Sequence, residues 1–492
     1  MSLPPHLREQ AARIADIAHS YGLDFYPTIF EVVTWEELTE VASYCGFPIR
    51  YPHWRFGMEY ERLMKGHIYG LSRIYELVIN HNPCYAYLLE ANEDLDQKLV
   101  MAHVYAHCDF FKNNRFFDDT DRKMINQMAH HSSSVRRWME TFGVDAVEQF
   151  IDVALSLENL IDIHSPPDRP ALISGDVDRE KIPSIQKLRS KEYMDEFINP
   201  QKFLEEQRRK IMEERERNRK FPQKPERDIL WFLIQHAPLE RWQRQMLEII
   251  RREAYYFIPQ MQTKIMNEGW ATYWHSRIMT EKVLDPSEVI DYADRCAGIL
   301  AMPHGSVNPY KIGVQLWRDI KERWDKGRFG KEWEECDNLA EKSNWDKNPR
   351  LGEQKIFEAR RIYNDITFID EFLTREFCIE HQLFTFEWNE NTNRYEIQSR
   401  DFKKIKEKLL FSLTNAGNPI ILIENGNYKN RGELLLFHEH QGVDLDRNYA
   451  CDTLRNLSRV WGRPVHVTTR LKDKSKIYSH DGETFSEEDI KT

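Results

Sequence analysis

Hydrophobic positions recur with a helical period along most of the chain up to about residue 377. In the opening segment, for example, Ile14 and Ile17 fall on one face of a predicted helix. Short strands are predicted only at 84–90 and near 49–51. The first three quarters of the chain are therefore expected to be predominantly helical. The clearest further helices are predicted at 60–80, 98–113, 121–142, 144–163, 239–267 and 309–324.

After residue 377 the hydrophobic pattern changes from a helical to an alternating period. Two alternating segments flank a run of turn residues at 389–393, which predicts a β-hairpin. This mixture of strands and helices predicts a C-terminal α+β domain of about a hundred residues. Its strands are expected at 384–388, 394–399, 419–424, 433–438 and 464–469, and its helices at 400–415 and 445–461.

These elements predict an α+β chain that is mainly helical and divided into two domains. A large helical N-terminal domain is expected at 1–377, a smaller α+β C-terminal domain at 378–470, and a polar tail that frays at 471–492. Between residues 199 and 227 the N-terminal domain carries an insertion dense in charges of both signs, which ends in a proline-rich turn. Such an insertion favours a solvated helix over a partner-binding arm.

The composition narrows the class of protein. The chain of 492 residues has a formal net charge of -11, which argues against non-specific binding to nucleic acids or anionic membranes, because both need a basic surface. The seven cysteines include no C-x-x-C pair, so neither a disulfide framework nor a cysteine zinc site is expected. The sequence shows no secretory signal and no long apolar run, so we expect a soluble cytoplasmic protein without membrane insertion.

Two histidines are the first candidates for chemistry. His103 and His107 lie in a predicted helix that follows the predicted strand at 84–90. A spacing of four residues places both imidazoles on one helix face, which suits two of the ligands of a zinc ion. The residue after the first histidine is Val104, where a zinc hydrolase with the H-E-x-x-H pattern has its general base. The sequence therefore predicts a metal site without an obvious base.

Six strings of the sequence resemble segments of a known family. They are HWRFGMEYE at 53–61, IYELVIN at 74–80, CDFFKNN at 108–114, NEGWATYWH at 267–275, NPYK at 308–311 and GNYKNRGELLL at 426–436. In this order and spacing they resemble the stage V sporulation protein R family, SpoVR, from about residue 5 to about residue 469. The resemblance implies a bacterial cytoplasmic protein. The founding member of the family is needed for spore cortex formation. The family name supplies no reaction.

The fourth string contains a candidate third metal ligand, Glu268. Its E-G-W-A segment resembles the helix that donates a glutamate ligand in several zincin-type metallopeptidases, and the order of the surrounding elements is also similar to theirs. This resemblance implies a zincin-like N-terminal domain in which His103, His107 and Glu268 bind zinc. It further implies that Tyr310 could stabilise an oxyanion during metal-assisted hydrolysis of an amide or peptide bond.

Three other residues could replace the general base that is missing at Val104. Glu90 ends the predicted strand, and Asp109 lies two residues past the second histidine. His275 lies two helical turns along from Glu268. Asp109 could equally orient one of the imidazoles through a hydrogen bond. The sequence leaves these alternatives open.

Polar residues at two places are candidates for substrate binding. Arg55 could bind a polar substrate, although a buried ion-pair network would explain the string around it equally well. Asn113, Asn114 and Arg115 end the histidine helix, where they would lie near a ligand bound at the metal. A cation at this position also has a structural role, because it interacts favourably with the negative end of the helix dipole.

Two alternative functions stay open. A helical bundle with inward carboxylates and histidines could hold two iron ions, although the paired Glu-x-x-His motifs are absent. Its ligands would be drawn from Glu90, His103, His107, His130, Glu148 and Glu158. Alternatively, the protein could be a non-catalytic scaffold or regulatory protein that keeps its metal for stability and binds protein partners through the C-terminal domain. His438 and His440 would then form a polar sheet face used in docking.

Overall fold

The computed structural model describes residues 3–68, 76–166, 200–202, 205–207, 209–210, 221–301, 308–389, 392–472 and 474–490. The fold class is α+β and mainly helical, as the sequence predicts. No helix in these ranges is long and apolar enough to cross a membrane. The α-helices of these ranges include α1 (Pro5–Ser20), α2 (Trp35–Ser43), α3 (Trp54–Ile68), α4 (Asp94–Asn113), α5 (Met124–Phe142), α6 (Val144–Ser156), α7 (Ile229–His236), α8 (Arg241–Gln262), α9 (Lys264–Ile278), α10 (Val289–Ile299), α11 (Pro309–Lys326), α12 (Lys331–Glu334), α13 (Leu339–Ser343), α14 (Gly352–Ile362), α15 (Asp365–Phe372), α16 (Arg375–Glu380), α17 (Phe402–Leu413) and α18 (Arg447–Trp461).

The strands of the described ranges form three sheets. They are β1 (Thr28–Val33), β2 (Leu77–Ile79), β3 (Cys84–Leu89), β4 (Thr385–Asn389), β5 (Arg394–Ser399), β6 (Ile421–Tyr428), β7 (Glu433–His438), β8 (Val465–Leu471), β9 (Lys474–His480) and β10 (Phe485–Asp489). In the three-stranded sheet, β3 is central, parallel to β1 and antiparallel to β2. The five-stranded sheet has the order β10-β9-β8-β7-β6, and β4 and β5 form the predicted hairpin.

Two predicted elements near the N-terminus differ from the structure. The segment 60–80, predicted as one helix, contains the end of α3 and then strand β2. The run Leu-Val-Ile at 77–79 is well suited to a strand because it pairs with β3 and packs on a half-buried surface. The strand predicted near 49–51 does not form, and the partner of β3 on its other side is β1.

Two predictions about charged or polar segments have different outcomes. Much of the predicted charged insertion at 199–227 lies outside the described residues. The prediction that the polar segment 471–492 frays is wrong, because β9 and β10 lie within it. Strand β9 pairs with β8 along its whole length, so main-chain hydrogen bonds order this segment without a hydrophobic signal in the sequence.

The first compact unit comprises Met1–Val144 and Tyr256–Gly417. Helix α4 is buried on nearly all sides and packs against α1, α9 and β3. A helix that is buried all round belongs to the interior of a domain rather than to its surface. The two histidines of α4 are therefore held inside the core of this unit.

Helices α9 and α11 of this unit cross with their backbones in contact. A Cβ atom built on Gly269 would lie 2.4 Å from the Cα of Gly313, and one built on Gly313 would lie 2.1 Å from the carbonyl oxygen of Ile265. Only glycine allows such an approach, because it has no Cβ. The glycine of the E-G-W-A segment therefore has a packing role, and it brings the start of α11 close to Glu268.

The second compact unit comprises Asp145–Tyr255 and Asn418–Thr492, and it contains the five-stranded sheet. Helix α18 packs against strands β8 and β9. It begins at an aspartate cap, Asp446, and ends at Gly462, which has a φ of 71°. The helix thus covers the face of the sheet to which the buried residues Val465, Val467 and Tyr478 contribute.

The compact units do not follow the linear boundary drawn from the sequence. The sequence places the start of the C-terminal domain at residue 378, whereas Leu383, Ile405 and Leu409 are buried in the core of the first unit. The first unit extends to Gly417 because the hairpin and helix α17 pack with the preceding helices. The alternating pattern after residue 377 therefore marks a change of secondary structure within this unit.

Candidate metal centre

Helix α4 presents two imidazoles side by side. The rings of His103 and His107 have centroids 4.5 Å apart, as expected for residues one helical turn apart on the same face. Their exposed fractions are 4% and 3%, so both rings are buried. This part of the site confirms the placement that the sequence spacing predicts.

Two glutamates complete a cluster around these histidines. Glu268 Oε2 lies 3.8 Å from His103 Nε2 and 3.5 Å from His107 Nε2. Glu76 Oε1 lies 3.1 Å from His103 Nε2 and 3.5 Å from His107 Nε2. All four ligand atoms lie within 4.8 Å of one another. The structure therefore brings together the three predicted ligands and adds a second carboxylate.

The spacing of the four atoms suits a single metal ion. Zinc binds imidazole nitrogen and carboxylate oxygen at about 2.0–2.2 Å, which places neighbouring ligand atoms of a tetrahedron roughly 3.3–3.6 Å apart. Within the described part of the chain, His103 Nε2 and Glu268 Oε2 are buried and have no hydrogen-bond partner. Buried polar atoms are normally paired, so two such atoms facing each other indicate a position for a ligand. The residues present therefore fit a divalent ion.

Asn267 fixes the orientation of one imidazole. His107 donates a hydrogen bond from Nδ1 to Asn267 Oδ1 over 2.9 Å, which leaves Nε2 directed at the two carboxylates. Metal-ligating histidines commonly use their second nitrogen in this way, and the partner sets the tautomer and the ring orientation. Asn267 precedes Glu268 on α9, so adjacent residues of one helix supply a carboxylate and orient a histidine.

The N-terminus of α9 is anchored by a carboxylate from α15. The backbone N–H groups of Ile265 and Met266 donate to the two oxygens of Asp365, over 2.8 and 2.9 Å. The first N–H groups of a helix have no partner within the helix, so a buried carboxylate satisfies them well. Asp365 therefore holds the turn from which Asn267 and Glu268 project.

The charges within the cluster are strongly coupled. Burial opposes ionisation of Glu268, but the two histidines beside it lower its pKa to about 2. Burial also opposes protonation of His107, but Glu268 and Glu76 raise its pKa to about 10. The pKa values of the histidines and glutamates therefore depend on one another, because each charge stabilises the opposite charge beside it. Metal binding at such a site is coupled to proton release.

Tyr310 lies beside the cluster at the start of α11. Asn308 caps this helix, because its Oδ1 accepts from the backbone N–H of Tyr310 over 2.9 Å. Burial raises the pKa of Tyr310, and the charges of Glu268 and Glu76 raise it further. Its hydroxyl is therefore protonated and can donate a hydrogen bond at the cluster, as the sequence predicts for an oxyanion donor.

His275 also lies next to the cluster. Its ring centroid is 5.2 Å from that of His103, and its Nδ1 shares a hydrogen bond with the hydroxyl of Tyr292 over 3.1 Å. Burial and the charge of His103 lower the pKa of His275 well below its ordinary value. Of the three candidates for the missing base, this residue is the one that the structure brings to the histidines.

The other two candidates for the base lie elsewhere. The carboxylate of Asp109 accepts from Arg360 at 2.5 and 2.6 Å, from the indole N–H of Trp270 at 2.8 Å and from the backbone N–H of Asp24 at 2.8 Å. Asp109 is fully buried, so it forms a structural ion pair rather than a partner of an imidazole. Glu90 is exposed at the end of β3, outside the buried cluster.

The residues predicted to bind substrate have mixed positions. Asn114 is buried and donates to the carbonyl oxygens of Arg360 and Tyr363, over 2.7 and 2.9 Å. Asn113 donates to the backbone carbonyls of Asp24 and Asp109. These hydrogen bonds anchor the C-terminus of α4. Arg55 and Arg115 are exposed, and both remain only predictions as substrate-binding residues.

Val104 occupies the position of the absent base, as the sequence shows, and Glu76 is the one cluster residue that lies outside the predicted site. Val104 is completely buried in the core of the first unit, so this position holds no base. Glu76 was not predicted, because it is placed by the pairing of β2 with β3 and not by helical spacing. The string IYELVIN contained it, which is the signal that could have found it.

The di-iron interpretation gains no support from the structure. Glu90 and His130 are exposed, whereas Glu148 and Glu158 belong to the second compact unit. None of these four joins His103 and His107 in the metal-ligating cluster found among the described residues. That cluster instead draws its carboxylates from the segment before β2 and from α9.

Comparisons with known proteins agree along most of the chain. Residues 3–418 match the family described as SpoVR like protein, and residues 419–472 match the one described as SpoVR-like C-terminal domain. The chain is also similar to the uncharacterized protein YcgB of Escherichia coli (strain K12). The two sequences are 32% identical over an alignment of 502 positions, and the alignment covers 94% of this chain and 92% of the relative. No solved structure matches the chain.

Proposed function

The chain belongs to the SpoVR family, and we propose that its function depends on a mononuclear zinc centre that hydrolyses amide bonds. The observation that carries this proposal is the convergence of Glu76, His103, His107 and Glu268, with two buried ligand atoms that have no hydrogen-bond partner. The domain around the centre would be zincin-like, as the order of its elements suggests. A catalytic zinc site has three protein ligands and an open position.

In this proposal, three residues of the cluster bind the metal and the fourth acts as the general base. We assign His103, His107 and Glu268 as the ligands, because the ligand atoms of two adjacent turns of α4 and of one residue of α9 lie close together. A bound zinc ion would supply Lewis-acid polarisation of the amide carbonyl. Glu76 would accept a proton from the attacking water and pass it to the leaving nitrogen, which supplies the group absent at Val104. The protonated hydroxyl of Tyr310 would donate a hydrogen bond to the oxygen of the tetrahedral intermediate.

The access of solvent to the carboxylates supports a catalytic site. The side chains of Glu76 and Glu268 are 20% and 16% exposed, whereas those of His103 and His107 are only 5% and 4% exposed. The carboxylate side of the cluster is therefore the side that a substrate would approach. A buried imidazole side and a partly open carboxylate side suit a site that binds its metal firmly and keeps a position for a reactant.

A structural metal centre is the second candidate function. The observation that favours it is Val104, which is packed in the core where a zinc hydrolase has its base. If Glu76 is a fourth ligand, the site has no open position and its role is to stabilise the domain. The chain would then act as a scaffold or regulator that binds protein partners through its C-terminal domain. The two candidates therefore differ in the role of Glu76.

The biological setting is part of the proposal. We place the protein in the cytoplasm and connect it with spore cortex formation, in hosts that sporulate, through the role of the family's founding member. A cytoplasmic amide hydrolase could act on cell-wall precursors or on a regulatory protein. This setting accounts for a link to the cell wall without export of the protein.

Metal analysis of the purified chain tests the proposal. We expect one zinc ion per chain in the wild type and a loss of that ion in His103→Ala. His130→Ala is the matched control, because His130 is an exposed histidine outside the cluster and its loss should leave the metal content unchanged. Circular dichroism would verify that each variant is folded. A folded wild-type chain that binds no ion, even after zinc is added, would refute the metal centre.

A further inference from the structure

Three polar residues of the five-stranded sheet lie on adjacent strands and on the same face. His466 on β8 lies opposite Leu435 on β7 and Ser479 on β9. Glu433 precedes Leu435 by two residues, so its side chain points to the same side of the sheet. This side is opposite to the one on which Val465, Val467 and Tyr478 are buried under helix α18.

These three residues form a continuous hydrogen-bonded relay. His466 Nε2 lies 3.0 Å from Glu433 Oε2, and His466 Nδ1 lies 2.7 Å from Ser479 Oγ. A carboxylate can only accept a hydrogen bond, so Nε2 carries the ring proton and Nδ1 has a free lone pair. Ser479 therefore donates its hydroxyl proton to the hydrogen bond with Nδ1. The carboxylate of Glu433 thus orients the ring of His466, and Nδ1 of this ring is aligned with the hydroxyl of Ser479.

The environment of the relay suits a nucleophilic serine. The side chains of His466 and Glu433 are only 9% and 10% exposed, whereas Ser479 is partly exposed. Burial lowers the pKa of His466 below its ordinary value, so the ring is neutral near pH 7 and can accept a proton. A nucleophile within hydrogen-bond reach of a base that a third group orients is the arrangement of enzymes with covalent intermediates.

We propose that Ser479, His466 and Glu433 form a second reactive site, in which Ser479 is acylated by small esters. In the first step, Ser479 Oγ bonds to the acyl carbon and its proton moves to His466 Nδ1. The bond between the acyl carbon and the alcohol oxygen then breaks, and the departing alcohol takes the proton from Nδ1. Water attacks the acyl-serine ester in the same way, so the acid is released and the serine is restored.

The surroundings of His466 indicate the kind of ester. The ring of Tyr428 lies 5.2 Å from that of His466 and offers an aromatic surface to an acyl group. A small ester with an apolar acyl group fits this aromatic surface best.

A fluorophosphonate probe tests this proposal on the full-length protein. The probe forms a bond between phosphorus and the serine oxygen, fluoride leaves, and the hydroxyl proton passes to the base. We expect mass spectrometry of digested protein to find the label on Ser479. Ser486 is the internal control, because it lies opposite Ser479 in the β9–β10 ladder, is exposed and is also a serine. Its labelling should be negligible.

Three variants separate a reactive serine from a structural hydrogen bond. Ser479→Ala should abolish labelling, and His466→Gln should slow it by about 10²- to 10⁴-fold, the usual contribution of general base catalysis. Glu433→Gln should slow labelling less, because the base remains and only its orientation is weakened. The same order should hold for hydrolysis of p-nitrophenyl acetate. Circular dichroism would verify the fold of each variant.

Wild-type labelling alone can overturn the proposal, whatever the variants do. If Ser479 reacts no faster than Ser486 in folded wild-type protein, the three residues are a structural network and the proposal is wrong. A metal chelator should leave the labelling of Ser479 unchanged, because none of its residues belongs to the metal-ligating cluster. The two sites can therefore fail or succeed independently.

Discussion

Gly269 and Gly313 are in backbone contact, and this contact holds Tyr310 next to Glu268. Gly269 follows Glu268 on α9, and Gly313 lies within one turn of Tyr310 on α11. A side chain at either position would meet backbone atoms, which cannot move aside as the end of a flexible side chain can. The geometry of the metal centre therefore depends on two residues that have no side chain.

The substitution Gly313→Ala should destabilise the first unit. The added methyl group would lie 2.1 Å from the carbonyl oxygen of Ile265, so the helices must separate. Overpacking of this kind costs about 1–3 kcal/mol. Gly298→Ala is the control, because nothing lies within 4 Å of a Cβ at that helical position. Urea denaturation should show a loss of stability for the first variant and none for the second.

Glutamine substitutions should distinguish the roles of the two glutamates. Glu268→Gln removes a ligand, so the purified variant should contain little zinc. Glu76→Gln should retain zinc, since the three ligands remain, and should reduce amide hydrolysis by about 10²- to 10⁴-fold. Zinc content and hydrolysis of a peptide library measure the two effects. Loss of zinc from Glu76→Gln would instead identify a fourth ligand and favour the structural centre.

A glutamate introduced at Val104 should not restore a hydrolase. Val104 is fully buried among apolar residues, so the carboxylate would have no solvent and no partner there. We expect Val104→Glu to lose roughly 3–5 kcal/mol of stability, the cost of an uncompensated buried charge. Val104→Ala removes volume without adding charge and should lose less. A stable Val104→Glu variant with new peptidase activity would contradict this prediction.

Removal of the metal should lower thermal stability. The assigned ligands come from α4 and α9, two helices of the first unit that are far apart in the sequence, so an ion would bind the folded chain and not the unfolded one. Such binding stabilises by about 2.7 kcal/mol when free ligand is a hundredfold above its Kd. Differential scanning calorimetry with and without a chelator should show a lower Tm without metal. The chelator should have no effect on the Tm of Glu268→Gln.

Substitution of Asp109 should affect folding more than chemistry. Asp109→Asn leaves the buried guanidinium of Arg360 without its counter-charge, which costs about 3–5 kcal/mol. Glu90→Gln is the comparison, because Glu90 is exposed and its change should be neutral. Chemical denaturation measures the free energy of unfolding of both variants. If Asp109→Asn kept full stability and lost activity, Asp109 would be a catalytic group after all.

The local part of the site could be predicted from the sequence. The pairing of His103 with His107 follows from helical geometry alone, and the structure confirms it. Glu268 could be assigned from a short segment that resembles a known ligand helix. Both predictions need only a few neighbouring residues, so no knowledge of the tertiary fold was required.

The non-local part could not be predicted from spacing. Glu76 reaches the cluster through the pairing of β2 with β3, and Asp109 is engaged by Arg360 from a distant helix. Strands β9 and β10 were missed for a related reason, because their residues are polar and the main-chain ladder holds them together. Long-range pairing leaves little trace in the periodicity of a single sequence.

The four side chains of the cluster also limit the oxidation state of an ion that they can hold. Two carboxylates and two neutral imidazoles carry two negative charges, which a dication balances completely. A trivalent ion would leave one uncompensated positive charge among side chains that are largely buried, and burial penalises such a charge. The cluster therefore matches the charge of a divalent ion, and a trivalent ion would need one further anion, such as a hydroxide at an open position, to be balanced.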